Sequence, residues 1–227
     1  MTGLDAPVLT RVTNRRTRLF REAFALYEAS IPRAEQKTRA QILAGLGRED
    51  VRFWAFTRGA ETLGVSILFA DRAQNIMLLE YLAVSPAARS GGIGSALFTA
   101  SFEATRFDSA TQLLIEVDSE AEDVSEAERA IRLKRKQFYR RLGCREVQGF
   151  DYILPLDHYG PAPRMSLLVL GAPGNHLAAH HLRCALSSIY QNVYAQGAGD
   201  PRLDKMFRGK GRQLALIQTS PQTKTPG

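Results

Sequence analysis

Leu78–Phe107 reads LLEYLAVSPAARSGGIGSALFTASFEATRF, a strand, a glycine-rich turn and a helix in unbroken succession. Ile76 to Val84 is apolar apart from Glu80 and rich in strand formers, which predicts a buried strand that stops at Pro86, since proline cannot donate to a ladder. From Ile93 onward the apolar and small residues Ile93, Ala96, Leu97, Ala100, Ala104 and Phe107 recur at the spacing of one helical face. Between the two lies Arg89-Ser90-Gly91-Gly92-Ile93-Gly94-Ser95. Three glycines in four residues let the backbone approach a ligand closely and adopt positive φ, and the first turn of the helix leaves its N–H groups unpaired. The helix dipole places about half a positive charge there and Arg89 adds a full one, so a phosphate or pyrophosphate is the expected occupant.

Two familiar phosphate motifs do not fit this turn. The dinucleotide pattern fails because the glycines are 91, 92 and 94, with Leu97 where the last would fall. The P-loop fails because no Lys-Ser or Lys-Thr pair follows the glycines. What fits is V-x-P-x-x-R-x-x-G-x-G, carried by Val84, Pro86, Arg89, Gly92 and Gly94. With the strand before it and the helix after it, the stretch resembles the coenzyme A pyrophosphate loop of the GNAT superfamily of acyl-CoA-dependent N-acyltransferases. A second segment, Phe138-Tyr139-Arg140-Arg141-Leu142-Gly143-Cys144, resembles that family's F-Y-x-x-x-G-F, with Cys144 in place of the last aromatic or aliphatic residue.

The resemblance spans residues 7–171 and implies an α/β (α+β) fold. Its sheet would be mixed and mostly antiparallel, of about seven strands with helices on both faces. A C-terminal helical extension, 172–200, and a flexible tail, 201–227, are expected beyond it. The resemblance further implies acetyl-CoA as co-substrate, held by Leu82, Ala83, Val84, Arg89, Ser90, Gly91, Gly92, Ile93, Gly94 and Ser95. Backbone N–H groups around Leu82 and Val84 would polarise the thioester carbonyl. In the family this strand splays from a parallel neighbour, here Gln112 to Val117, and the pantetheine arm fills the gap. Tyr139, by motif position, would protonate the departing thiolate.

That assignment suits the chemistry, because thioester aminolysis needs a neutral amine, a polarised carbonyl and a proton for the thiolate. A phenol of pKa about 10 can donate to a thiolate of comparable basicity. The base reads less directly. Glu80 is the one charged residue inside an apolar strand, where a carboxylate is costly without work or a partner. It serves as general base or amine anchor, as a strand glutamate does in many members of the family, or it pairs with a nearby arginine. Glu116 and Asp118, at the end of the neighbouring strand, are rivals. The asparagine that many members carry seven residues before the tyrosine is Arg132 here, which leaves a phosphate or an acidic acceptor for it to reach.

The surrounding chain supports a domain of this kind. A short strand within Pro7–Thr13 precedes helices at about Arg15–Ala29, capped by Asn14, and Ala34–Leu46, a pair placed to cover one side of a site. Strands at Val51–Thr57 and Leu63–Phe69 lead into the opening stretch as an antiparallel meander. Gln112–Val117 reads as a central strand and Ser119–Glu128 as an acidic surface loop. Ala127–Leu142 reads as a helix with Ala127, Ile131, Phe138 and Leu142 inward, followed by strands at Arg145–Leu154 and Met165–Leu170. Asn175 to about Ala195 has helical spacing, and its apolar stripe suits packing on its own core or on a second subunit of a homodimer.

Composition bounds the function classes. With 44% hydrophobic and 23% charged residues among 227, the chain is not disordered throughout, and no run approaches the ~18 apolar residues of a membrane span. The N-terminus lacks a signal-peptide core, so the cytoplasm is the expected location. Cys144 and Cys184 read as reduced thiols outside any nucleophile motif, and His176, His180 and His181 beside Cys184 lack paired metal-ligand spacing. The net charge of +7 suits an anionic partner, either nucleic acid or a cofactor with several phosphates. No nucleic-acid recognition motif is present, so a basic nucleic-acid binder is the weaker alternative. A GNAT-fold module that binds coenzyme A without turnover is the stronger one. The expected acceptor is an amine, with small amines, amino acids, antibiotics and protein lysines all compatible.

Overall fold

Short runs of β-branched and aromatic residues separated by glycine and asparagine turns build an antiparallel sheet in the first half of the chain. The computed structural model describes residues 6–120, 122–156 and 164–218, and it divides into two compact units, 1–109 and 110–227. In the first unit Val8–Arg11 (β1), Val51–Arg58 (β2), Glu61–Asp71 (β3) and Ile76–Val84 (β4) pair antiparallel in that order. The turn between β2 and β3 uses Gly59 at φ 54° and the turn before β4 uses Asn75 at φ 51°. In β3 and β4 the register runs from Leu68 opposite Leu79 directly to Ile67 opposite Tyr81, so Glu80 is the extra residue of a β-bulge.

The two faces of this sheet are covered by helices of different character. Arg18–Ser30 (α1) and Arg39–Leu46 (α2) bury Phe20, Ala23, Phe24, Tyr27 and Ile42 against Phe53, Ala55, Val65, Ile67 and Ala83. Ile93–Thr105 (α3) lies on the other face, where Ile93 and Leu97 pack on Phe56 and Leu63. Its attachment is partly polar: Ser66 and Ser101 hydroxyls meet at 2.7 Å, and the Trp54 indole donates to the Thr105 hydroxyl at 2.9 Å. The approach is close enough to demand glycine at 64, where a Cβ would lie 2.8 Å from Leu97 Cδ2 and 2.9 Å from the Ala83 carbonyl.

The helix expected over 34–46 is interrupted. Arg33–Glu35 makes one 3₁₀ turn, Gln36 and Lys37 continue non-helically, and α2 starts only after Thr38. The cause is a capping box, in which Thr38 accepts from the Gln41 N–H at 3.3 Å and Gln41 accepts from the Thr38 N–H at 2.7 Å. Likewise α1 starts behind Thr17, which accepts from Phe20, whereas Asn14 caps a tighter local turn by accepting from the Arg16 N–H at 2.9 Å.

The second unit contains Gln112–Asp118 (β5), Glu126–Arg141 (α4), Arg145–Val147 (β6), Tyr152–Ile153 (β7) and Arg164–Leu170 (β8). It continues with His176–Ala178 (β9), Ala179–Asn192 (α5), Pro201–Phe207 (α6) and Gln213–Ile217 (β10). Strands β5, β8, β6, β10 and β9 lie side by side in that order, every pair antiparallel, and β7 pairs with β8. The run 145–154 is two strands because Gly149, at φ 61°, turns the chain between them. Gly171 is required at φ 86°, since a Cβ there would sit 2.4 Å from the Thr111 carbonyl.

Two expectations are corrected in this unit. The segment from Pro201 was expected to be flexible, yet α6 and β10 form there, and β10 inserts between β6 and β9 with Leu214 and Leu216 buried. Residues 219–227 lie outside the described residues. The inner face of α4 is also different, for Ile131 is 53% exposed and the buried residues are Lys136 and Tyr139. Lys136 can be buried because its ammonium lies 3.0 Å from Glu146 Oε1, 3.0 Å from the Ser166 hydroxyl and 2.5 Å from Glu120 Oε2.

Candidate functional site

The chain leaves β4 through a 3₁₀ turn at Pro86–Ala88, and Arg89 follows extended. Ser90 at φ 68° and Gly92 at φ 74° then swing the backbone into α3. Gly92 is the N-cap of α3 and has no side chain to bond the first-turn N–H groups, so those donors face outward with the dipole behind them. A Cβ on Gly92 would meet nothing within 4 Å, and one on Gly91 only the Ala88 carbonyl at 3.9 Å. Arg89, Ser90, Gly91 and Gly92 are exposed, and Gly94 and Ser95 are half-buried in the first helical turn. Ile93 anchors the turn from below in the cluster that also holds Leu82, Val84 and Ala88. The result is an exposed turn of backbone donors on a packed base, which suits a phosphate-bearing ligand.

Glu80, at the bulge, is the second element of the first unit. Its side chain is only 4% exposed, and Oε2 is paired with the Lys37 ammonium. Oε1 is buried with no hydrogen-bond partner among the described residues. The partner is thus a lysine from the segment before α2, where an arginine was the alternative expected from sequence. Tyr27 accepts from the Lys37 N–H at 2.7 Å, and Tyr81 donates to the Glu35 carbonyl at 2.8 Å. The two rings meet edge to face at 5.0 Å. Burial pushes both phenols above their ordinary range, with the Glu80 charge adding in the same direction, so both stay protonated. Sequence reasoning missed Lys37, Tyr27 and Tyr81. The signal available was Thr38-x-x-Gln41, which fixes the start of α2 and leaves Lys37 outside a helix.

The second unit carries Tyr139, buried on α4 with its ring 5.1 Å from that of Phe138. Burial raises its phenol strongly, Arg135 one turn away pulls it down, and Cys144 adds to the rise. The proton is therefore held firmly. Cys144 is buried too, and its thiol is pushed up to about 12, so it is no nucleophile at neutral pH. Both rival bases are engaged. Glu116 accepts from the Tyr152 and Tyr194 hydroxyls, and Asp118 Oδ2 lies 2.8 Å from Arg135. Arg132, read as a candidate for a phosphate or an acidic acceptor, is instead committed to its own loop. It binds Glu122 at 2.7 Å, Glu128 at 3.2 Å and the Ser119 carbonyl at 2.9 Å.

Residues 49–146 match the family model described as the acetyltransferase (GNAT) domain. Over those residues the chain is similar to the GNAT acetyltransferase domain. No curated protein sequence matches it. Among solved structures, a protein of the GNAT family from Bacteroides thetaiotaomicron is 18% identical with a TM-score of 0.67, covering 84% of this chain and 99% of its own. An aminoglycoside 6'-N-acetyltransferase complexed with coenzyme A is 13% identical at a TM-score of 0.54, covering 74% of this chain and 98% of its own. A spermidine/spermine N-acetyltransferase from Vibrio cholerae is 11% identical at 0.50, covering 72% and 91%. At these identities the likeness is one of fold, the mixed and mostly antiparallel GNAT architecture expected from sequence. Among the described residues no helix is long and apolar enough to cross a membrane.

Proposed function

We propose that residues 7–171 form an N-acetyltransferase domain that moves an acetyl group from acetyl-CoA to a primary amine by direct attack on the thioester. The observation that carries this reading is the uncapped N-terminus of α3, with Gly92 left-handed and open space where a side chain would stand. Coenzyme A, named with the aminoglycoside acetyltransferase of the same fold, has the diphosphate such a cradle fits. When bound, acetyl-CoA supplies an acyl group already activated as a thioester. Residues Arg89 to Ser95 hold its diphosphate, and the backbone of Leu82, Ala83 and Val84 lines the acyl end. Glu80 takes the proton of the incoming ammonium, and Tyr139 gives one to the departing thiolate. Burial keeps that phenol protonated, and by the same rise makes it a weaker acid than a free phenol. Neither cysteine is needed, in keeping with the buried, protonated Cys144.

Isothermal titration with acetyl-CoA, followed by thiol-release assays over small amines, amino acids, aminoglycosides and lysine peptides, tests the reading. Absence of acetyl-CoA binding at millimolar concentration would sink it. A second reading, a coenzyme A sensor without turnover, draws on the ion pair that already occupies Glu80. Binding without thiol release from any amine would favour the sensor.

A further inference from the structure

The two oxygens of Glu80 are in unequal situations. Oε2 is paired with Lys37, while Oε1 is buried with no partner among the described residues. A buried carboxylate oxygen without a donor is a costly arrangement, which a donor brought by a substrate relieves. The backbone that delivers Lys37 is held on both sides. Gln36 Nε2 donates to the Glu28 and Ile31 carbonyls at 2.8 and 2.6 Å, the Lys37 N–H donates to Tyr27, and Thr38 opens the capping box of α2. Lys37 is therefore a fixed cation whose side chain, 24% exposed, reaches a carboxylate 43 positions away in the chain. The neighbouring phenols of Tyr27 and Tyr81 stay protonated and Arg48, which feels the Glu80 charge, is paired with Asp50, so among the described residues Lys37 is the cation in direct contact with the glutamate.

We propose that Lys37 is a positioning residue for acyl transfer: by holding Oε2 it fixes Glu80 at the bulge of β4 and leaves Oε1 as the atom that receives the acceptor's proton. The inference rests on Glu80 being the base in the proposed function. In the step, the acceptor ammonium transfers one proton to Oε1 and becomes a neutral amine with a free lone pair. Lys37 keeps its own proton and breaks no bond. Without Lys37 the buried carboxylate would lose its ion-pair contact, which low-dielectric surroundings penalise, and its rotamer would lose the contact that aims Oε1.

The test compares wild type, Lys37→Met, Lys37→Arg, Glu80→Gln and the Lys37→Met/Glu80→Gln double variant. Each is read by thiol release with the best amine of the panel and by titration with acetyl-CoA. The expected result is a kcat lower by about tenfold or more in Lys37→Met, with acetyl-CoA affinity unchanged and most of the rate restored by arginine. The double variant should be no slower than Glu80→Gln alone, because residues acting as a unit do not add. Wild-type kcat in Lys37→Met, an arginine variant as slow as the methionine one, or losses that multiply in the double variant would each overturn the proposal. If Lys37→Met does not fold by circular dichroism, Lys37→Gln is read by the same criteria. A wild type that binds acetyl-CoA yet releases no thiol refutes the base reading and this inference with it. An active wild type indifferent to Lys37 refutes the inference alone.

Discussion

Two stretches of β4 and its exit, Glu80 and Arg89 to Ser95, lie within one strand and one turn of each other and solve opposite problems. The turn is built to be open: its donors are backbone, its cap is a glycine, and space stands where a side chain would be. Glu80 is built to be closed: its side chain is 4% exposed, and a lysine already satisfies one oxygen. The first arrangement is preorganised to accept charge from a ligand, and the second carries charge that the protein itself balances. Backbone donors at a helix end need no counter-ion when empty, since water reaches them. A buried carboxylate does need one, and this explains why only the second recruits a distant side chain.

The largest effect is expected from closing the open half. Gly92→Asp introduces a side chain at φ 74° and a negative charge at the positive helix end, and should abolish acetyl-CoA binding by titration, a loss of at least about 100-fold or ~2.7 kcal/mol. If affinity survives, the diphosphate lies elsewhere. Opening the closed half comes next. Glu80→Gln should lower kcat by about 10²–10⁴-fold while leaving acetyl-CoA affinity within experimental error. A change in affinity instead of rate would make Glu80 part of the cradle and erase the contrast.

Tyr139→Phe should reduce kcat by a smaller factor, about 10–100-fold, because a water can partly replace a lost acid. An unchanged rate would refute the acid assignment. The pH profile sharpens this. Burial raises the Tyr139 phenol, so its protonated, donating form persists through the ordinary phenol range near about pH 10. A loss of activity at lower alkaline pH that vanishes in Tyr139→Phe would contradict that direction.

The open half was legible in sequence and the closed half only partly, for a physical reason. The bounds of β4 and the start of α3 follow from local periodicity, proline and glycine, and they fall where the spacing puts them. Lys37 meets Glu80 across 43 positions, and no local pattern encodes such a meeting. The phase of α4 was misread because hydrophobicity cannot anticipate a buried lysine; the face holding Arg132, Lys136 and Tyr139 is set by ion pairs. The C-terminal strand β10 was missed for another reason. Its alternation, Gln213-Leu214-Ala215-Leu216, is short and flanked by lysine, arginine and glycine, and it becomes a strand only because β6 and β9 offer edges on either side.

The smallest catalytic effect should come from a site that only supports the open half. Gly64 faces α3 at its first buried turn, and a Cβ there meets Leu97 Cδ2 at 2.8 Å and the Ala83 carbonyl at 2.9 Å. Leu97 can shift but the carbonyl of β4 cannot, so Gly64→Ala forces α3 outward or bends the strand. Overpacking of this kind costs about 1–3 kcal/mol, to be seen as a lower melting temperature in calorimetry. Because the strain falls on the joint between β4 and α3, it should weaken acetyl-CoA affinity a few-fold and leave the Lys37 and Glu80 pair untouched. Rate and affinity then separate in the direction opposite to Glu80→Gln. A variant that lost rate together with affinity would mean that the cradle and the carboxylate are one rigid element, and that the distinction between them is local chemistry without mechanical independence.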